Sequence, residues 1–540
     1  MTKIRSFLIG DKPFYRRAFR IALPIVIQNA VTNFVGLLDN LMIGRLGTEQ
    51  MTGVSIANQL VFVYNLLIYG VVSGIGIFTT QFFGAGDEKG VRHTFRVKVI
   101  ASGFTAIVAG LLFFFFDDFL LRLFFTEDGS GVDLLLALQS GKEYLFVILF
   151  GLIPFALTQA YSGTLREGGE SAVPMLAGVS AIAVNVSLNL ILIFGYLGAP
   201  ALGVTGAAIA TVASRFVELL IVLVYTHAKA ARWGFITGAY RRLFSVPGKL
   251  IGQLAVKSFP LIVNELLWSV GTSAVVRNYS TRGLSVVAAL TITTTVANVF
   301  NSVNFGIGAS VSIVAGQSLG ADRLDDAQRD ACRMIALATF SCLFVGGALA
   351  ALAPFFPLIY NTEPAVRDLS TSLLLVAAAC MPIGAFMQAS YFTIRSGGKT
   401  LVTFLFDSVF VLAVSFPASY LLAAKTTLPI VRVYLIVTLL DLIKCIVGFI
   451  LIKKRIWLHN IVSDQTAPLN APLAAHFIVP LFVYCTERGR FFAVLAGGFV
   501  VFIACRSAFV GFVLREEGDV AARTVRGVCG EVPASAASAL

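Results

Sequence analysis

Charged side chains are scarce in this sequence, 13% of its 540 residues against the roughly 25% of an average water-soluble domain. With 57% hydrophobic residues and a mean hydropathy of +0.86, that shortage excludes an ordinary soluble enzyme and indicates a polytopic membrane protein. Histidine is rarer still. His93, His227, His459 and His476 lie far apart near the ends of apolar runs, without the ligand spacing of a zinc centre. All seven cysteines fall from Cys332 onward and form no CxxC pair or ladder, so no disulfide framework is implied. No Ser-His-Asp set stands out, and an enzyme is not expected. The formal charge of +12 does not point to nucleic acid, because the Lys and Arg residues sit in short turns between apolar runs rather than in a basic stripe.

What remains is apolar sequence punctuated by turns. Segments near 15–44, 50–82, 98–121, 135–163, 172–198, 203–226, 251–281, 285–318, 334–358, 369–394, 400–424 and 429–452 are each long enough for a helical crossing. The basic N-terminus, with Arg16, Arg17 and Arg20, has no small-residue cleavage pattern after it and reads as the flank of an uncleaved first span. With that end inside, about 24 Lys and Arg collect on one side against about 8 on the other, which makes both ends of the twelve-span unit cytoplasmic. A cell-membrane location is expected.

The chain repeats itself. A shift of 236 residues brings Pro24 onto Pro260, Gly47 onto Gly283, Asn65 onto Asn301, Gly70 onto Gly306, Gln81 onto Gln317 and Gly84 onto Gly320. After a slip of seven, Gln159, Thr164, Arg166 and Gly168 meet Gln388, Thr393, Arg395 and Gly397. Six spans per copy make the repeat parallel, with a pseudo-twofold axis along the membrane normal and a cleft between the halves. The fold expected is therefore all-α: twelve transmembrane helices in two pseudo-symmetric six-helix bundles, 14–226 and 251–455, joined by a cytoplasmic linker at 227–250. The extension 456–540 has no counterpart in the repeat. It contains one possible extra span at 491–514 and an end, 515–540, of disordered composition, and no role is assigned to it.

Polar residues inside the spans carry the chemistry. Gln28, Asn29, Thr32, Asn33, Asp39 and Asn40 fall on one stripe of the first span, which a lipid-facing helix could not tolerate, so this span lines an interior. Asp39, in a low dielectric, would take a proton or a cation. Asn58 and Asn65 of span two and Asn301 of span eight are amides able to coordinate an ion or to bridge helices. Asn185 and Asn189 share a face of span five. Glu265 and Asp407 have no Lys or Arg one turn away and read as unpaired carboxylates, whereas Arg215–Glu218 and Asp441–Lys444 read as structural pairs within one helix. The glycines of GAGD at 84–87 and REGG at 166–169 read as turn formers, since no strand-turn-helix context for a phosphate loop surrounds them.

ALPIVIQNAVTNFVGLLDNLMIGRLG at 22–47, TTQFFGAGD at 79–87, TLREGG at 164–169 and NVSLNLILIFGYLGAPALGVTGAAIAT at 185–211 together resemble a multidrug and toxic compound extrusion (MATE) transporter, over roughly residues 14–460. The resemblance implies antiport of cationic amphipathic compounds against sodium ions or protons. It makes Asp39, Asn185 and Glu265 ion-site residues. Asn189 stands where many members have a second aspartate, so the first half carries one charge fewer. Tyr144 and Thr211, the latter closing the last motif, join Asn33, Asn58, Asn65, Asn301 and Asp407 as substrate-site candidates.

The function expected is a cation-coupled antiporter that exports cationic drugs or toxic metabolites. Its partners are a small cationic substrate and the lipid bilayer, with no nucleic acid, no cofactor beyond the coupling ion (Na+ or H+) and a monomeric state. The alternative is a lipid-linked oligosaccharide flippase of the same superfamily, whose pyrophosphate cargo would call for a basic cavity.

Overall fold

The computed structural model describes residues 10–44, 47–123, 134–360 and 362–463. The extra span proposed at 491–514 and the 515–540 end lie outside the described residues. Twelve long helices follow one another: α1 (Lys12–Gly44), α2 (Thr48–Ala85), α3 (Glu88–Phe115), α4 (Leu134–Glu167), α5 (Ala172–Phe194) and α6 (Gly203–Ala228), then α7 (Gly248–Ser280), α8 (Leu284–Gly320), α9 (Leu324–Leu352), α10 (Pro364–Ser396), α11 (Thr400–Lys425) and α12 (Ile430–Lys453). Eleven of them, α2 to α12, are apolar and long enough to cross a bilayer, and α1 runs 33 residues beside them. The third and ninth helices begin about ten residues before the apolar segments at 98 and 334 do, because their charged first turns are already helical. Asp87 starts α3 by accepting the amides of Lys89 and Gly90.

The packing repeats as the sequence does. In the first half α2 packs on α3 and α4, α4 on α6, α5 on α6, and α1 on α5; in the second, α8 packs on α9 and α10, α10 on α12, and α7 on α11. Contacts across the halves are α1 with α8, its mirror α7 with α2, and α2 with α8, which places the last pair on the pseudo-twofold axis. Prolines recur in the interiors of equivalent helices, Pro24 with Pro260 and Pro154 with Pro382, where neighbouring helices can absorb the lost backbone bonds.

The linker docks rather than hangs. Arg96 of α3 donates to the carbonyls of Gly238, Ala239 and Ser245, and Arg92 to that of Gly234. Tyr240 stacks on His227 at 5.8 Å, and burial pushes its phenol up to about 12. The segment after α12, unassigned from the sequence, is also part of the fold: Trp457 is fully buried, its indole N–H donates to Gln328, and Ile461 enters the hydrophobic core of the first half beside Trp233 and Phe235.

Glycine governs the α2–α8 crossing. A Cβ on Gly84 would overlap the backbone of Gln317, and one on Gly320 the backbone of Gln81, so the two helices meet with no side chain between them. Replacing Gly320 with Val should cost about 1–3 kcal/mol by forcing this crossing apart. Gly347→Val, where nothing lies within 4 Å, should leave stability unchanged. Thermal unfolding in detergent compares the two variants directly.

Candidate functional site

From Gly84 and Gly320 inward, α2 and α8 are buried over residues 70–84 and 306–320 almost without a break. Further along, each shows one exposed stripe: Ser55, Phe62 and Tyr69 on α2, and their repeat equivalents Thr291, Asn298 and Phe305 on α8. Both helices are surrounded by other helices, and hydroxyls and amides do not face lipid without cost. The stripes therefore border a cleft between the halves, and Tyr69 and Phe305 form its floor. Asn33 of α1 reaches across the halves, donating to the carbonyl of Asn298 (3.2 Å) and to Ser302 Oγ (2.9 Å).

Charge is concentrated on the second-half side of the floor. The Glu265 side chain, 13% exposed, lies beside Gly70 and 3.6 Å from Arg395 Nη1. Arg395 is buried, donates to Tyr391 OH (3.3 Å) and to Ser73 Oγ of α2, and lies against the rings of Tyr69, Tyr391 and Phe392 at 5.7–5.9 Å. Asn264, next to Glu265, donates to Tyr391 OH and to Asp407 Oδ2, both at 3.2 Å. Asp407 in turn meets Lys444 at 3.4 Å, and Lys444 also meets Asp441 at 3.7 Å. Two π-helical turns, Leu405–Val409 and Val411–Ser415, widen α11 here, and Ser408 bonds Asn264 through both its amide and its hydroxyl. Such turns often mark functional segments of helices.

The first half has a different, mostly neutral arrangement. Asn189 donates to Asn185 Oδ1 (3.2 Å), Asn185 donates to Thr211 (3.4 Å), and all three line the α5–α6 contact. Tyr144 of α4 donates to Asn58 of α2 at 3.1 Å. Where the second half has Asn264, Glu265 and Asp407, the first has Gln28, Asn29 and Gly178; Gln28 accepts from Arg166 at 2.7 Å. Towards the basic end, Lys98 and Glu167 form an ion pair in which the lysine is fully buried, with Thr164 as a further acceptor.

Several sequence expectations need correction. Glu265 and Asp407 are not unpaired: their cations, Arg395 and Lys444, come from α10 and α12, where spacing along α7 or α11 cannot reveal them. Arg215 and Glu218 make no direct ion-pair contact among the described residues; the guanidinium donates to the Gly151 carbonyl (3.3 Å) and lies 5.0 Å from the Phe155 ring. Asp441 and Lys444 do pair, but the lysine is shared with Asp407. Of the two GAGD glycines read as turn formers, Gly86 makes the turn at φ 71°, while Gly84 serves the helix crossing instead. Asn185, Asn189 and Thr211 come together, as do Tyr144 and Asn58. Asn301 accepts from Asn304 (3.3 Å), and the buried Oδ1 of Asn65 finds no partner among the described residues. Asp39 falls in α1, and its side chain lies outside the described residues. Sequence reasoning missed the Lys98–Glu167 pair, Arg395 as the partner of Glu265 and Lys444 as the partner of Asp407; a cation inside an apolar run was the available signal.

The MatE family model matches twice, over residues 24–191 and 260–423, and the two matches start 236 residues apart. The chain belongs to the MatE family, the multidrug and toxic compound extrusion transporters. It is 25% identical over 430 residues to the probable multidrug resistance protein YoeA of Bacillus subtilis, covering 78% of this chain and 90% of that one. To the multidrug resistance protein MdtK of Pectobacterium atrosepticum it is 22% identical over 420 residues, 76% and 87% of the two chains. Among solved structures, a MATE transporter in complex with MaL6 superposes with a TM-score of 0.74 at 21% identity, over 84% of this chain and 99% of that one. An outward-facing MATE transporter superposes at 0.72 and 20%, over 84% and 98%. The MatE fold, multi-pass and all-helical, is thereby shared.

Breaking one side of the buried Glu265–Arg395 pair should cost about 3–5 kcal/mol, because the other charge is left uncompensated. The double variant Glu265→Gln/Arg395→Gln should regain most of the stability lost in Arg395→Gln alone. Denaturation of the four proteins in a double-mutant cycle measures this coupling.

Proposed function

We propose that this MatE protein exports cationic amphipathic compounds in exchange for Na+ or H+, by rocking its two halves about the α2–α8 axis. The observation that carries the reading is the pair of exposed stripes on the otherwise enclosed α2 and α8, which stop where these helices close on each other at the basic end, with Glu265 beside Gly70 at that point. A cation at Glu265 or Asp39 and a cationic substrate compete for the same low-dielectric space, so binding of one disfavours the other and links their gradients. A single charge crossing 100 mV contributes about 2.3 kcal/mol, enough for roughly fifty-fold accumulation, so no nucleotide is required. The names of the relatives, multidrug resistance proteins, agree with this reading. The excess of Lys and Arg supports a cytoplasmic basic end, which makes the described state the one open to the outside.

The flippase alternative calls for an uncompensated basic cavity. Of the two repeat-equivalent arginines, Arg395 is neutralised by Glu265 while Arg166 donates to the neutral Gln28, so it is the charge balance of the second half that supports a cationic cargo. The remaining candidates, Asn33, Asn58, Asn65, Asn301, Tyr144 and Thr211, would supply neutral contacts to the substrate, while Asn185 and Asn189 would complete an ion site with Asp39.

Vesicles loaded with purified protein, given a sodium gradient and then a pH gradient, should expel ethidium or a fluoroquinolone under at least one of them. Asp39→Asn or Glu265→Gln should reduce gradient-driven export by about tenfold, the factor equivalent to about 1.4 kcal/mol of coupling. Unchanged transport and ion dependence in both variants would overturn the assignment.

A further inference from the structure

Two glutamines cross between the halves at the basic end, and they are repeat equivalents. Gln81, fully buried near the end of α2, donates to the carbonyl of Ser396 at the end of α10 (3.0 Å) and to that of His459 (3.2 Å); its Oε1 accepts from the Ile461 amide (2.8 Å). Gln317, near the end of α8, donates to the carbonyl of Glu167 at the end of α4 (2.7 Å), and its Oε1 accepts from Arg17 of α1 (2.8 Å). Glu167 and Ser396 are themselves repeat equivalents, each next to the arginine shared by the two copies. The same bond is thus made twice around the axis, each time from one half into the other. The carbonyls it reaches belong to helix last turns, where no intrahelical donor remains.

We infer that Gln81 and Gln317 are a symmetric pair of latches that hold the basic end of the cleft shut, and that transport requires both to break in each cycle. The inference rests on the alternating-access reading above. Three features set these bonds apart from ordinary helix glue. They run between the halves rather than within one. They flank the α2–α8 crossing, Gly84 on Gln317 and Gly320 on Gln81, where the backbones of these two axial helices touch, so the helices cannot part there while the amides stay bonded. They are also neutral: water can replace them when the end opens, and no buried charge is stranded, which keeps the cost of opening small. The two latches differ in strength. Gln81 is bonded at both ends of its amide to the segment after α12, whose Trp457 and Ile461 are anchored in the second-half and first-half cores respectively. Gln317 has only the exposed Arg17 as its second partner. That segment is a strap that doubles one latch and leaves the other single.

The test is a distance. Spin labels carried by unnatural amino acids at Lys89 and Leu324, exposed positions just beyond α2 and α8, report the width of the basic end by pulsed electron resonance with no substrate or gradient present. The parent protein should give one short distance. Gln317→Glu keeps the side-chain volume and the Arg17 contact but removes the donor; it should raise the ratio of long to short distances roughly three- to tenfold, the range for losing one net hydrogen bond. Gln81→Glu should raise it further. Gln139→Leu, which removes a glutamine that bonds only an exposed neighbour, should change nothing. If the glutamate variants do not fold, Gln81→Met and Gln317→Met test the same donors, and Arg17→Ala, at an exposed site, should still widen the distribution. Unchanged distances in the folded latch variants would overturn the inference while leaving the coupling reading untouched, because the measurement involves neither ion nor drug.

Discussion

Two helices meeting at backbone distance on a pseudo-twofold axis set the terms for the rest of this molecule. Because α2 and α8 carry glycine at Gly84 and Gly320, their backbones can meet directly at one end, with no side chain between them at that point. A backbone contact of this kind, edged by a few hydrogen bonds, can separate and rejoin without large side-chain rearrangement. The cleft, its aromatic floor and the ion pairs beside it all follow from where this contact stops, at Gly70 and Gly306, which lie against the backbone of Ile262 in α7 and of Val26 in α1.

The repeat makes the departures from symmetry informative. Packing is conserved between the copies, but charge is not. The second half holds Glu265, Asp407 and Asp441 with Arg395 and Lys444, whereas the first half fills the equivalent floor positions with Gln28, Asn29 and Gly178 and keeps its buried ion pair, Lys98–Glu167, nearer the basic end. The helices constrain shape, which both copies must satisfy to close on one another. Electrostatics is free to differ, because each half solves its own solvation problem. A carboxylate in α7 has to find a cation within reach, and Arg395 supplies it while also touching Ser73 and Tyr69 of the opposite half.

The architecture was legible in the sequence because it is carried by residues that recur at a fixed offset: prolines in helix interiors, glycines at crossings and amides on the axis. Span boundaries were less so, since a helix that starts in water carries charges in its first turn, as α3 and α9 do, and hydropathy discounts those turns. Spacing along a single helix found the Asn185–Asn189 contact and the Asp441–Lys444 pair, which are local. It could not find Glu265–Arg395 or Asp407–Lys444, whose members are brought together only by packing. Gln81 and Gln317 stood out as a matched pair, but identity at equivalent positions says nothing about which half a side chain reaches into.

The strap after α12 also bears on assembly order. The core of the first half contains Ile461, and Gln81 of α2 draws two of its three hydrogen bonds from His459 and Ile461. A ribosome delivers those residues only after the twelfth helix. Before they arrive, the first half lacks the Ile461 side chain that fills its core and two of the three partners of Gln81. The first half's core is therefore filled only once this segment has followed the twelfth helix.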